Sequence, residues 1–188
     1  MPELPEVETC RRVMRRVLLG NTITNAEFTD DDIVFGDTAP EALRAAVVGR
    51  KVTQIGRLGK FWWIEFEDYP WLYGHLGMAG WIREYGAPTA RLREHGKMPL
   101  DDETGRPRFL KMSLEVEDGR KIVLTDGRRL ARVWLGEAPK EQKPLKKLGP
   151  DVFEDPRTPE QVQAILAKRS APIKALLLDQ TLFAGVGN

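Results

Sequence analysis

The sequence predicts an α+β protein, on three observations. Apolar residues recur at helical spacing near the N-terminus. β-Branched and aromatic residues alternate in the central blocks. A capped helical pattern opens at residue 158. At 188 residues the chain holds one sizeable domain, or one domain and part of another. Hydrophobic content of 41% suffices for a core, and a formal net charge of +1 excludes a globally basic protein that coats nucleic acid. Any nucleic-acid surface must come from local clustering.

Val7, Cys10, Val13, Met14, Val17 and Leu18 form one helical face, and Gly20 stops the helix. Arg11, Arg12, Arg15 and Arg16 lie outside that face and read first as a solvated surface, second as phosphate steering. Residues 21–38 read as extended structure interrupted by Asp30-Asp31-Asp32. Residues 40–48 read as a short amphipathic helix ended by Gly49. Residues 52–55 and 61–66 are strand-like. Leu110, Met112, Leu114 and Val116 alternate, and residues 117–120 make a hairpin turn before Ile122 and Leu124. Several short strands divided by turn residues suggest a sandwich or barrel.

Residues 86–107 are polar, charged and rich in Gly and Pro, as in a long surface loop or insertion. Residues 136–157 read as a proline-rich, charged linker. Thr158 with Gln161 makes a capping box and Pro159 suits the first helical position, giving a helix to about residue 168 and a second over 172–178. The chain ends Gly185-Val186-Gly187-Asn188: a tight turn, then an N-cap residue with no helix after it. This predicts a chain cut where another helix begins.

Cys10 is the only cysteine, so an intrachain disulfide is excluded; with only His75 and His95 as histidines, so is a cysteine-rich zinc site within this chain. No apolar run reaches transmembrane length and the N-terminus is not a signal peptide, so an intracellular, reducing compartment is expected.

The N-terminus carries distinctive chemistry. Removal of Met1 before a small second residue leaves Pro2 as a terminal secondary amine. An α-amino group titrates near about 8, so part of it is neutral at pH 7. Such a nitrogen attacks an aldehyde-level carbon and forms an iminium, whose fixed charge favours elimination next door. Glu3 is placed to move a proton beside it. The plainer alternative is a helix start, with Pro5 in the first turn and Glu6 and Glu8 at its positive end.

The run Pro2-Glu3-Leu4-Pro5-Glu6-Val7-Glu8 resembles the start of the formamidopyrimidine-DNA glycosylase and endonuclease VIII-like family, formamidopyrimidine branch. The resemblance implies an N-terminal β-sandwich with flanking helices over 1–135, a linker over 136–157, and over 158–188 the start of an α-helical helix–two-turns–helix module. It implies a bifunctional DNA glycosylase/AP lyase of base excision repair, acting as a monomer on oxidised or ring-opened purines in damaged duplex DNA. Its setting would be a bacterial cytoplasm or nucleoid, or a nucleus.

By residue, it implies that Pro2 is the nucleophile, Glu3 the proton shuttle, and Lys60 a phosphate contact that assists elimination. His75 would hold phosphate. Met78, Arg128 and Leu130 would fill the gap left by the extruded nucleotide, with Arg128 pairing the orphaned base. Leu130 departs from the usual phenylalanine, which leaves less stacking surface. Arg129, Arg169, Lys174 and Asn188 would grip phosphate, and Glu6 would help recognise the base. At Arg108-Phe109-Leu110-Lys111 the usual histidine is missing, so no site carries over there. No cofactor is implied in this chain; a zinc finger or a zinc-free equivalent belongs to a later segment of such proteins. Two rivals are a non-catalytic damage-binding module on the same scaffold and an N-terminal-proline tautomerase.

Overall fold

The computed structural model describes residues 2–89 and 99–188. Met1 and the middle of the 86–107 segment, His95 included, lie outside the described residues. On the C-terminal side of that gap the chain forms a built turn rather than an open loop. Asp102 Oδ1 accepts from the N–H groups of Thr104 and Arg106, and Asp101 bridges to Pro107.

Helix α1 (Leu4–Leu18) forms where the periodicity places it, with Glu3 as N-cap and Pro5 in the first turn. Val7, Cys10, Met14, Val17 and Leu18 are sealed in the core. Burying a Val, Leu or Met side chain is worth about 1.5–3 kcal/mol, so this face fastens the N-terminus to the sheets. The solvated-surface reading holds for Arg12, Arg15 and Arg16, which are exposed, and is corrected only for Arg11, which is half-buried against Glu8. Arg11 and Arg12 both bind Glu8, at 2.7 and 3.0 Å, and Arg16 binds Glu84 at 2.6 Å. On the buried face, Cys10 Sγ exchanges hydrogen bonds with the Ile82 backbone, and burial pushes its thiol up to about 12.

Strand β1 (Ile23–Phe28) follows, but the acidic run after it does not belong to extended chain. Asp31 caps a short helix, α2 (Asp32–Phe35), accepting from the Val34 N–H at 3.2 Å. The capping preference of aspartate overrides the extended reading. Helix α3 (Pro40–Val47) buries Leu43 and Val47.

The remaining strands are β2 (Val52–Leu58), β3 (Phe61–Phe66), β4 (Trp71–His75), β5 (Trp81–Glu84), β6 (Leu110–Val116), β7 (Lys121–Thr125) and β8 (Arg132–Gly136). They form two antiparallel sheets, ordered β1-β6-β7-β5 and β2-β3-β4-β8. The architecture is therefore α+β, a sandwich and not a barrel. Strand β6 shows the alternation read from its sequence, with Leu110, Met112, Leu114 and Val116 inward. The 117–120 turn forms as read, with Gly119 at φ 80° and Asp118 Oδ1 accepting from the Arg120 N–H.

One apolar cluster joins the two sheets to α1 and α3. A second covers the outer face of the β2-β3-β4-β8 sheet, where Trp63 and Tyr73 pack with Leu145 of α4 (Lys143–Lys146). The segment read as a linker thus lies down on the sheet. Helix α5 (Pro159–Leu166) carries the reciprocal Thr158–Gln161 box, at 2.9 and 3.3 Å. Helix α6 (Ile173–Leu178) follows, and Leu176, Leu182 and Phe183 form a third cluster with Val152 and Val162. Among the described residues no helix is long and apolar enough to cross a membrane.

Candidate active site

Three stretches of chain meet beside the β2–β3 hairpin: the start of α1, the hairpin turn, and the C-terminal glycine turn. Pro2 is buried, and the Glu3 carboxylate is ion-paired with Lys60 Nζ. Lys60 stands in the turn directly after Gly59, whose φ of 57° suits glycine. The C-terminal turn lies directly on this pair. A Cβ at Gly187 would overlap the Glu3 carboxylate and lie 3.0 Å from Lys60 Nζ. A Cβ at Gly59 would meet the Gly185 nitrogen at 3.3 Å. Gln180 holds the turn from behind, accepting from the Gly185 N–H and donating to the Val186 carbonyl, both at 2.9 Å.

Beneath the hairpin sits a buried charge network. Arg57 on β2 is fully enclosed and grips Asp151 with Nη1 at 2.6 Å and Nη2 at 3.0 Å. Asp151 also accepts from the Gly59 N–H at 2.7 Å, and Arg57 Nη1 donates to the Gly59 carbonyl at 2.8 Å. Glu8 accepts from Arg57 Nε at 3.2 Å and from Arg11 and Arg12. Burial alone would raise the Glu8 carboxyl, but the bonds from Arg11, Arg12 and Arg57 prevail and hold it at about 2, against an ordinary 4.5. Asp151 is likewise lowered: its hydrogen bonds, led by Arg57, overcome the burial that opposes them. The network fixes α1, the Gly59–Lys60 turn and residue 151 as one unit.

His75 ends β4 and stacks on Phe61, with ring centroids 4.9 Å apart. Its Nδ1 accepts the Gly77 N–H at 3.0 Å. Burial, then the positive charges of Lys60 and Arg132, hold its pKa below the usual histidine value. Met78 follows in an exposed turn. The next loop packs against it, since a Cβ at Gly77 would overlap the Leu130 carbonyl. Buried Asp126 builds that loop, accepting from the N–H groups of Arg128, Leu130 and Ala131 at 2.9, 2.7 and 2.7 Å. Met78, Arg128 and Leu130 therefore sit on two touching loops, with Arg128 exposed and Leu130 half-buried. Arg129 takes φ 56° and is committed to Asp31 and Asp32.

The other predicted residues stand apart from the Glu3–Lys60 pair or serve structure. The Glu6 carboxylate accepts from the Glu3 N–H at 3.0 Å, the plainer helix-start role. Arg169 is exposed and donates to the Ile165 carbonyl at 2.8 Å, closing its own helix. Lys174 is exposed on α6, and Asn188 is exposed next to Gly187. Reading the residues had singled out none of Arg57, Asp151, Gln180 or the pairing role of Glu8. Arg57 lies beyond the strand read over 52–55, so no local pattern pointed to it. Among the described residues no group of three or more His, Cys, Asp or Glu is arranged to hold a metal.

Fold and cluster together define a class: a β-sandwich protein in which a helix start, a hairpin lysine and a glycine turn converge on one carboxylate. The sequence profile of the formamidopyrimidine-DNA glycosylase N-terminal domain matches residues 1–133, and the chain belongs to that family. It is 34% identical to the formamidopyrimidine-DNA glycosylase of Arabidopsis thaliana over 188 residues, covering all of this chain and 48% of the relative. It is 34% identical to the Halorhodospira halophila protein of the same name over 190 residues, covering 64% of that relative. Among solved structures it is similar to Lactococcus lactis Fpg in complex with abasic-site DNA. That similarity has a TM-score of 0.75 at 28% identity, covering all of this chain and 63% of that one. The chain thus spans about half to two thirds of these relatives' length.

Proposed function

We propose that this chain is the N-terminal catalytic part of a bifunctional DNA glycosylase/AP lyase of base excision repair. The observation that carries the reading is the Glu3–Lys60 pair, held next to buried Pro2 and capped by Gly187. Family membership and the DNA-bound Lactococcus lactis relative support it. The division at 1–135, 136–157 and 158–188 is part of the reading, as are damaged duplex DNA as partner, action as a monomer, and a setting where genomic DNA resides.

The substrates are ring-opened and oxidised purines such as formamidopyrimidine and 8-oxoguanine. The base leaves the stack at a cost of a few kcal/mol, about least at weakened pairs, and Met78, Arg128 and Leu130 occupy the vacancy. The Pro2 nitrogen bonds to C1′ as the bond from C1′ to the base breaks, and the Glu3 carboxylate takes the proton that the nitrogen releases and passes it to the departing base. The C1′–O4′ bond then breaks, O4′ takes up a proton, and the nitrogen lone pair closes the iminium. Loss of a C2′ proton then expels the 3′ phosphate, a second elimination expels the 5′ phosphate, and water hydrolyses the iminium to free Pro2 and the unsaturated sugar remnant. Lys60 neutralises phosphate in these steps. This sequence of bond changes is proton and amine chemistry and calls on no redox or metal group.

The test is product analysis on duplex DNA with a single 8-oxoguanine, using this chain extended by its native downstream sequence. Cutting that leaves phosphate on both sides of a one-nucleoside gap is expected. Lesion binding without cutting would establish the non-catalytic module instead. Gly187→Ala probes the contact on the pair. Its stability should stay within about 0.5 kcal/mol, since the neighbour is a half-exposed side chain end. Strand cutting should fall roughly tenfold or more, about 1.4 kcal/mol in barrier, as the added methyl pushes Glu3 off Lys60. Thermal melting and single-turnover cutting read the two.

A further inference from the structure

Register places Phe61, His75 and Arg132 directly opposite one another across β3, β4 and β8, so the three side chains share one face in one row. Directly opposed residues stand about 4.5–5.5 Å apart at Cβ, which puts the Arg132 guanidinium within reach of whatever His75 touches. The same row borders a cavity of about 460 Å³.

The charge available on this row is not where the motif suggests. His75 accepts a hydrogen bond at Nδ1, so its neutral ring carries the proton on Nε2. Burial and two neighbouring cations keep it neutral at physiological pH. It can donate one hydrogen bond but supplies no charge. Lys60 is ion-paired with Glu3 beside the nucleophile, and Arg129 with Asp31 and Asp32. Arg132 is exposed, and its Nη1 alone is engaged, by the Ala131 and Arg129 carbonyls at 2.7 and 3.3 Å. Among the described residues no carboxylate pairs with it, and its Nε and Nη2 are free.

From this arrangement we infer that Arg132 is a phosphate-binding residue, supplying the positive charge for the backbone phosphate to which His75 donates through Nε2. The inference rests on the DNA-binding reading above. It divides the work between a neutral donor that sets position and a guanidinium that sets charge. Arg132 is not among the residues to which the family resemblance gives a role; it stands two positions beyond Leu130.

The test is a salt titration of duplex binding by fluorescence anisotropy at pH 8. The probe carries one tetrahydrofuran abasic-site analogue, and the protein is this chain extended by its native downstream sequence. Arg132→Ala should lower the slope of log K against log salt by about 0.9, one phosphate contact's worth. Arg132→Lys should restore the slope. His75→Gln should weaken binding at every salt concentration and leave the slope unchanged. An Arg132→Ala slope equal to that of wild type, beside clear salt-dependent binding by wild type, would overturn the inference and leave the DNA-binding reading intact. So would a failure of Arg132→Lys to restore it. A His75→Gln slope reduced as much as that of Arg132→Ala would overturn the division of labour. If the wild-type chain shows no salt-dependent binding, the reading falls and takes the inference with it.

Discussion

A chain whose Pro2 nitrogen is blocked should give no borohydride-stable adduct with abasic-site DNA, whereas the processed chain should give one. The lone pair decides the outcome. A processed Pro2 has a secondary amine, which condenses with an aldehyde-level C1′ to an iminium that hydride reduces to a permanent bond. A retained Met1 turns that nitrogen into an amide, whose lone pair is delocalised into the carbonyl. Elimination should vanish with the adduct, since both follow from the same intermediate. Pro2→Gly supplies the graded case: a primary terminal amine retains some trapping but loses the fixed iminium charge, so cutting falls further than trapping does. Gel mobility after borohydride, with mass mapping of the adduct, reads both. An adduct mapped to Lys60, or trapping by the blocked chain equal to that of the processed one, would remove Pro2 from the mechanism.

Asp151→Ala should destabilise the fold by about 3–5 kcal/mol, the usual cost of leaving a buried charge without its partner. At this chain length that is a drop in Tm of roughly 6–20 °C. Arg57 would keep its positive charge inside the protein with Glu8 at 3.2 Å and the exposed Glu154 at 3.6 Å as its remaining partners, and the Gly59 N–H would lose its acceptor. Arg57→Met combined with Asp151→Leu should be less damaging than Asp151→Ala alone, because the apolar pair leaves no orphaned charge. The same network sets the acid limb of stability. Glu8 titrates at about 2 in the folded chain against 4.5 ordinarily. The unfolded chain therefore takes up the proton first as pH falls. The Glu8 contribution is complete above about 4.5 and is lost as pH drops towards 2. Asp151 acts in the same direction. Glu8→Gln should flatten the pH dependence of urea unfolding in that window; an unchanged acid limb would mean the network contributes nothing there.

How much of this could be read in advance depends on range along the chain. The α1 face, the β6 alternation, the 117–120 turn and the Thr158–Gln161 box are decided within a few residues, and all were legible. The acidic run does interrupt the extended chain, but the short helix after it was not legible because aspartates suit both loops and N-caps. What separated the two was a pair of cations, Lys111 and Arg129, 80 and 98 residues downstream of Asp31. Arg57 lies beyond the strand read over 52–55, in the part of β2 that the pattern does not show, and its partner Asp151 lies 94 residues away. Local pattern carries nothing at that separation. The residues assigned to the active cluster came through resemblance, and the structure adds what holds them: Gln180 behind the glycine turn, Asp126 under the loop of Arg128 and Leu130, and Arg57–Asp151 under Lys60. Arg132 carries no local signature, because only strand pairing sets it opposite His75.

The inward side of α1 has a consequence for durability. Cys10 is the sole sulfhydryl, and it yields its proton only near pH 12. At cellular pH the nucleophilic form that peroxides and alkylating agents attack is practically missing. The helix that secures the N-terminus is thus moored by a sulfur that is chemically mute towards oxidants and alkylating agents.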